Sequence, residues 1–116
     1  MNEYLLIIHR DVSKEGSPSP QQLQEIIKPF QDWIGGIAAQ NKLAAPPKRW
    51  DGTGKVIRKN NVVTDGPYAE IKEAVSGTIL IRANDYEEAA EIAKGCPILK
   101  WDGVVEVRMA LATPTA

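Results

Sequence analysis

Apolar residues are spaced along the chain in two ways, as short runs and as one long stripe with steps of three and four residues. The runs lie at residues 3–9, 76–83 and 103–111 and have the length and composition of β-strands. In the last run, apolar positions alternate with polar ones, which places them on one face of a strand. These alternating positions are Val105, Val107, Met109 and Leu111.

The stripe with helical spacing begins directly after Ser19. This residue is a suitable N-cap, and Pro20 suits the first helical position. We therefore predict a first helix from Pro20, with a kink at Pro29, because proline cannot donate a hydrogen bond to the carbonyl four residues back. Its apolar face comprises Leu23, Ile26, Ile27, Phe30, Trp33, Ile34 and Ile37.

A second helix is predicted between residues 85 and 95. Asp85 precedes it as an N-cap, and Glu88 follows at the spacing of a capping box. We expect Gly95 to end this helix in the left-handed conformation, and Pro97 prevents its continuation.

The segment between the helices predicts a ribbon of two short strands. Residues 50–54 carry a turn signal, residues 55–59 an exposed strand, and residues 62–64 its partner. Asn60 and Asn61 tolerate positive φ and mark the turn that joins the two strands.

This order of elements, β-α-β-ribbon-β-α-β, predicts an α+β domain of the ferredoxin-like, split βαβ kind, with two helices on one face of an antiparallel sheet. Residues 4–8 of the first strand, YLLII, are nevertheless apolar on both faces. A sheet with one face in water is expected to alternate between apolar and polar residues. We therefore predict that the uncovered face packs on another copy of the chain in a homodimer.

The length of the chain bears on the number of domains, and its charge restricts the classes of partner it can bind. The 116 residues suit one domain, which we assign to residues 1–111, with residues 112–116 as a flexible C-terminal tail. The net charge is −1, from 14 basic and 15 acidic residues, and there is no basic block. Such a chain lacks the electrostatic features of a protein that binds nucleic acid or an anionic membrane.

Cysteine usage and hydropathy bear on the compartment. The chain has a single cysteine, Cys96, so it forms no intrachain disulfide, which is typical of a reducing compartment. No apolar run approaches the roughly 18 residues of a membrane span, and the N-terminus lacks the basic region of a signal peptide. We expect a cytoplasmic protein.

Four stretches carry a resemblance to a known family. "VVTDGPYAEIKE" at residues 62–73 resembles the signature of the YCII-related, or DGPF-domain, family. Ser76-Gly77 with its strand, "DYEEAAEIAKGCP" and "VVEVRMA" follow in that family's order. The resemblance implies a ferredoxin-like fold that dimerises face to face into an α/β barrel with a cleft in each half.

The resemblance also implies a range of functions. Related proteins are implicated in lyase chemistry of the dehalogenation type on hydroxylated aromatics, which would make this chain a dehydrochlorinase-like acid–base enzyme without metal or cofactor. The histidine of the family's proposed His–Asp pair aligns with Gln22, which cannot exchange a proton near neutral pH. Two alternatives therefore stay open: a non-catalytic module that binds a small organic molecule, and a regulatory module that binds another protein.

Two residues are candidates for catalysis. Asp65 in the Asp-Gly-Pro sequence either holds a turn or, at a strand end, serves as a base. His9, the only histidine, ends the first strand and either is a hydrogen-bonded surface residue or exchanges protons in a cleft. A pair formed by His9 and Asp65 would rebuild the missing dyad from a different position.

Four more residues are candidates for ligand binding. Arg82 and Arg108 either recognise a carboxylate or phenolate or form interstrand charge pairs, for instance with Glu106. Trp50 and Tyr68 are suited to the wall of a pocket. No Cys/His cluster in the sequence has the spacing of a metal site.

Overall fold

The computed structural model describes residues 1–11, 20–66, 73–101 and 103–112. It confirms the two helices, the three long strands and the ribbon. The strands are β1 (Asn2–Asp11), β2 (Lys48–Arg49), β3 (Gly54–Arg58), β4 (Val62–Gly66), β5 (Glu73–Ala83) and β6 (Val104–Met109), and the helices are α1 (Pro20–Ala39) and α2 (Tyr86–Ala93). Single 3₁₀ turns occupy Lys59–Asn61 and Pro97–Trp101.

The strands form two separate antiparallel sheets. The main sheet has the order β2-β5-β1-β6, and β3 pairs only with β4 in a two-stranded ribbon. In the main sheet, β1 therefore lies between the two other long strands, β5 and β6. The fold is therefore α+β and compatible with the ferredoxin-like arrangement.

One face of the main sheet forms the core. Side chains at alternate positions of β1 and β5 point to the same side as the helices, and they are almost completely buried. The core comprises Tyr4, Leu6, Ile8, Ile37, Ile79, Ile81, Ala83, Ala89, Ala93 and Cys96. Both helices contribute to this one cluster, so they cover the same face of the sheet.

Helix α1 begins at Pro20 as predicted and continues through Pro29 to Ala39. The predicted N-cap, Ser19, lies outside the described residues. Trp33 ties this helix to α2, because its indole nitrogen donates a hydrogen bond to the carbonyl oxygen of Ile92 at 2.9 Å.

Helix α2 has the predicted start and a different end. The Asp85 carboxylate accepts a hydrogen bond from the backbone N–H of Glu88 at 2.8 Å, which confirms the N-cap. The prediction for Gly95 is wrong, since among the described glycines only Gly54 has a positive φ. Gly95 is required for space instead: a Cβ there would lie 2.8 Å from Cδ1 of Trp33.

The strands differ from the prediction in their limits and in one additional strand. The strand predicted at residues 76–83 begins at Glu73, and the ribbon strand predicted at residues 62–64 extends to Gly66. The last strand ends at Met109, and Leu111 lies beyond it with 83% of its surface exposed. The two-residue strand β2 was not predicted, because it directly follows Pro46-Pro47 and has no strand-like composition. It is held to β5 through the backbone, with the Trp50 N–H donating to the Ser76 carbonyl at 3.0 Å.

The close approach at Gly95 generates a stability prediction. We expect Gly95→Ala to lower the free energy of unfolding by about 1–3 kcal/mol, because the indole of Trp33 must move or lose its hydrogen bond. Gly35→Ala is the matched control, since a Cβ there meets nothing within 4 Å. In the interior of α1 it should stabilise the fold by about 0.5–1 kcal/mol. Equal effects of the two variants in urea unfolding would contradict this account.

Candidate functional site

The face of the main sheet that points away from both helices is the candidate site, and we call it the open face. Its members follow from the strand register, because residues paired across antiparallel strands lie on the same side. They are Leu5, Ile7 and His9 on β1, Thr78, Leu80 and Arg82 on β5, and Val104, Glu106 and Arg108 on β6.

The centre of the open face is apolar. Leu5 of β1 pairs with Leu80 of the neighbouring strand β5, and Ile7 follows Leu5 on the same face of β1. All three side chains are half-buried although the chain's own helices lie on the opposite face. The exposed Val75 and Val104 flank His9 on the two neighbouring strands, with exposures of 39% and 44%.

A chain of three polar side chains forms the edge of this apolar area. Nε2 of His9 lies 3.1 Å from Oε1 of Glu106, and the other carboxylate oxygen accepts a hydrogen bond from Nε of Arg108. The His9 side chain is 17% exposed, whereas that of Arg108 is 68% exposed. We call these residues the His9–Glu106–Arg108 network. It places an imidazole, a carboxylate and a guanidinium group side by side.

The two hydrogen-bond partners of Glu106 change its proton affinity. The hydrogen bond from Arg108, and then the one from His9, lower the pKa of the Glu106 carboxyl below its usual value of 4.5. Glu106 is therefore ionised near neutral pH and serves as a hydrogen-bond acceptor. When Nε2 of His9 carries the proton that is donated to Glu106, Nδ1 holds the free lone pair.

A β-bulge lies directly beside His9. Ile8 pairs with Gly77 and His9 pairs with Val75, so Ser76 is the extra residue on β5. The Ser76 hydroxyl donates a hydrogen bond to the carbonyl oxygen of Ile8 at 3.3 Å. Bulges bend a strand and redirect side chains, often next to functional sites.

Trp50 and Arg82 lie on the other side of the apolar area. The indole nitrogen of Trp50 donates to the Thr78 hydroxyl at 2.9 Å, which places a half-exposed ring beside the open face. Arg82 donates from Nη1 to the carbonyl oxygen of Leu43 at 3.3 Å. The sequence did not indicate Thr78, whose only signal is its position in a largely apolar run.

The structure does not pair His9 with Asp65 in any described hydrogen bond or ion pair. Asp65 lies on the ribbon, where its carboxylate is 2.5 Å from Nζ of Lys55, and its side chain is 87% exposed. Gln22 lies on α1, on the other side of the sheet from the open face. Tyr68 lies outside the described residues.

A shallow groove of about 440 Å³ lies between α1 and α2, on the opposite side of the sheet from His9. Lys42 and Glu88, which line the groove, form an ion pair. Nζ of Lys42 lies 3.2 Å from Oε1 of Glu88, whose other oxygen accepts from Asn84 at 3.0 Å. This pairing ties α2 to the end of α1 and suits a structural role.

The fold and this face together define a class of protein: an α+β domain with an uncovered apolar sheet face that is bordered by an acid–base network. The sequence model of the YCII-related domain matches residues 3–111, so the chain belongs to the YCII-related family. No curated protein matches the chain.

The described parts of the chain lack two features, a membrane-spanning helix and a cluster of metal ligands. Among these residues, no helix combines the length and the apolar character that a membrane span requires. Nor do three or more His, Cys, Asp or Glu side chains in those segments lie together in a way that would hold a metal ion.

The lowered pKa of Glu106 generates a prediction about stability and pH. Because the folded-state pKa lies below the unfolded value, the ionised carboxylate stabilises the fold fully above about pH 4.5, and this contribution is lost as the pH falls through the folded-state pKa. The unfolding free energies of the wild type and Glu106→Gln should therefore converge as the pH is lowered from about 6 to about 3.

Urea unfolding at a series of pH values measures this difference. Glu3→Gln is the matched control, since it removes a carboxylate on the same face of the sheet, on β1 and outside the network. A constant difference between the wild type and Glu106→Gln across this pH range would contradict the account.

Proposed function

We propose that the open face binds a small organic molecule, a hydroxylated aromatic, in a cleft that a second copy of the chain closes. In this proposal His9 exchanges a proton with the ligand, and Arg108 pairs with its phenolate or carboxylate oxygen. The His9–Glu106–Arg108 network beside an apolar surface is the observation that carries the proposal.

The chemistry of this face suits such a ligand. A hydroxylated aromatic has an apolar ring and an acidic edge, and Leu5, Ile7 and Leu80 offer the ring an apolar surface next to the network. The guanidinium group of Arg108 is a planar donor, and its 68% exposure leaves it accessible to a ligand oxygen. Trp50 at the opposite side supplies a further ring for stacking.

Glu106 determines which ring nitrogen of His9 carries the proton. A carboxylate that accepts a hydrogen bond from one ring N–H fixes the tautomer and leaves the other nitrogen as a base. His9 thereby takes the part that the missing histidine at Gln22 would otherwise play. Asp65 is the weaker candidate for the base, because its carboxylate is exposed and paired with Lys55.

Lyase chemistry of the dehydrochlorinase type is consistent with these groups. A proton first moves from one ring hydroxyl to the adjacent carbon that bears chlorine, which makes the first carbonyl. The base then takes the proton of the other hydroxyl, the electron pair left on its oxygen forms the second carbonyl of the quinone, and chloride leaves with the electrons of its carbon–chlorine bond. Chlorohydroquinone would give benzoquinone and HCl in this way. The reaction needs no oxidant and no metal.

The uncovered face also supports the homodimer. Leu5, Ile7 and Leu80 would face the sheet of the second copy across the ligand cleft, and apolar burial drives such association. A cleft between two sheets would exclude water around His9 and strengthen its hydrogen bond to Glu106.

Binding is tested by titration with 4-nitrophenolate, whose absorption band shifts when the phenolate oxygen is hydrogen-bonded. We expect saturable binding by the wild type and about tenfold or weaker affinity for Arg108→Gln, because a charge-assisted hydrogen bond is lost. Lys94→Gln, directly after α2, is the matched control and should bind like the wild type. Equal affinities for all three proteins would contradict the assignment of Arg108.

Turnover is tested separately with chlorohydroquinone, by measuring released chloride. We expect chloride release from the wild type that His9→Gln abolishes, whereas Asp65→Asn retains it. Saturable binding of 4-nitrophenolate without chloride release would favour the non-catalytic binding module. Loss of chloride release in Asp65→Asn alone would reject His9 as the base.

A further inference from the structure

The ribbon formed by β3 and β4 is too small to be stable as it stands. It shares no described strand pairing with the main sheet, and an isolated two-stranded hairpin is at best marginally stable in water. Its apolar side chains are nevertheless turned to solvent, with exposures of 65% for Ile57, 50% for Val62 and 58% for Val63. The ribbon therefore needs a partner surface.

One face of the ribbon is suited to such a contact. Ile57 pairs with Val63 across the two strands, and Lys55 pairs with Asp65 two positions away on the same side. The face thus consists of an exposed apolar pair next to an ion pair at the base of the ribbon.

The chain exposes more surface than a compact monomer of its mass. A compact monomer of 12.7 kDa would have an accessible surface of about 6,200 Å², whereas this chain has 8498 Å². The open face and the ribbon are part of this excess of about 2,300 Å², and a large homodimer interface buries an area of this order on each subunit. The radius of gyration of 15.9 Å likewise exceeds the roughly 13 Å of a compact domain of this length.

Sheet topology then favours a contact across a two-fold axis. The ribbon follows β2 at one edge of the main sheet, and the His9–Glu106–Arg108 network lies on β1 and β6 at the other edge. The two edges are three strand spacings apart, roughly 14 Å. A two-fold axis parallel to the strands, between two facing sheets, places the β2 edge of one copy over the β6 edge of the other.

We propose that residues 54–66 are an intersubunit arm, which packs Ile57 and Val63 on the open face of a second copy and walls the cleft beside that copy's His9–Glu106–Arg108 network. Each site is then complete only in the dimer. The inference rests on the dimer of the proposed function, and it adds which segment of one subunit completes the site of the other.

Crosslinking between two different variants tests the arm directly. One chain carries Val63→Cys, and a second chain with an affinity tag carries Val104→Cys, next to His9. After subunit exchange and treatment with a short bismaleimide, we expect a crosslinked species that contains one chain of each kind. The native Cys96 is 2% exposed and should not react.

A matched control uses Leu99→Cys in place of Val104→Cys. Leu99 has the same exposure of 44%, but it lies on the 3₁₀ turn Pro97–Trp101, whose Pro97 is buried. It should give no crosslink to Val63→Cys. Failure of the Val63→Cys and Val104→Cys chains to crosslink in a mixed dimer would overturn the proposal, as would a crosslink formed only within one chain when both substitutions are combined.

A second variant tests the apolar contact. We expect Ile57→Asp with Val63→Asp to raise the dimer dissociation constant at least about a hundredfold, because two apolar side chains lose their burial. Leu99→Asp should leave the constant unchanged, and circular dichroism should show that both proteins are folded. A folded arm variant that dimerises like the wild type would contradict the arm.

The outcomes separate this inference from the proposed function. A dimer that binds 4-nitrophenolate but gives no crosslink between Val63→Cys and Val104→Cys rejects the arm and leaves the binding site standing. A wild-type protein that is monomeric rejects both.

Discussion

A central strand with two apolar faces is the constraint on which the rest of the molecule depends. Tyr4, Leu6 and Ile8 are buried under the two helices, while Leu5 and Ile7 point to the other side of the same strand. The chain has no third helix among its described residues to cover that second face. Burial of apolar surface is the main driving force for association, which is why we propose that a second subunit covers this face.

The proposed role of the His9–Glu106–Arg108 network depends on the apolar surface beside it. In water, an exposed charge pair such as Glu106 with Arg108 contributes little to stability. In the proposed dimer the partner would cover the apolar surface beside these groups, which would lower the effective dielectric and strengthen their interactions with one another and with a ligand. The bulge at Ser76 and the register of β1 with β6 place His9 at this boundary, where an apolar ring and a proton donor are both within reach.

Sequence patterns predicted the fold well and the site only in part. The first helix, the Asp85 cap and the Asn60-Asn61 turn are local signals, and the structure bears them out because local geometry decides them. Only part of the predicted stripe packs on the core: Phe30, Trp33, Ile34 and Ile37 do so, whereas Ile27 is 46% exposed. Glu106 could be associated with Arg108 because residues two apart in a strand share a face. Its contact with His9 depends on the pairing of β1 with β6, which are 97 residues apart at that point and carry no mark of their register.

Two further positions show the same limit. Gly95 follows a helix and lies two residues before a proline, which is typical of a left-handed cap, yet its role is set by the Trp33 ring from another helix. The ion pair of Asp65 with Lys55 likewise follows from the ribbon register. Contacts between distant segments decide both positions, and a single sequence contains no direct record of them.

Native mass spectrometry of the freshly purified protein tests the central claim, that a second copy covers the open face and encloses a small molecule there. The account predicts a species of twice the 12.7 kDa chain mass at micromolar concentration, which carries a defined additional mass that is released on denaturation. A protein that remains a monomer under these conditions would contradict it.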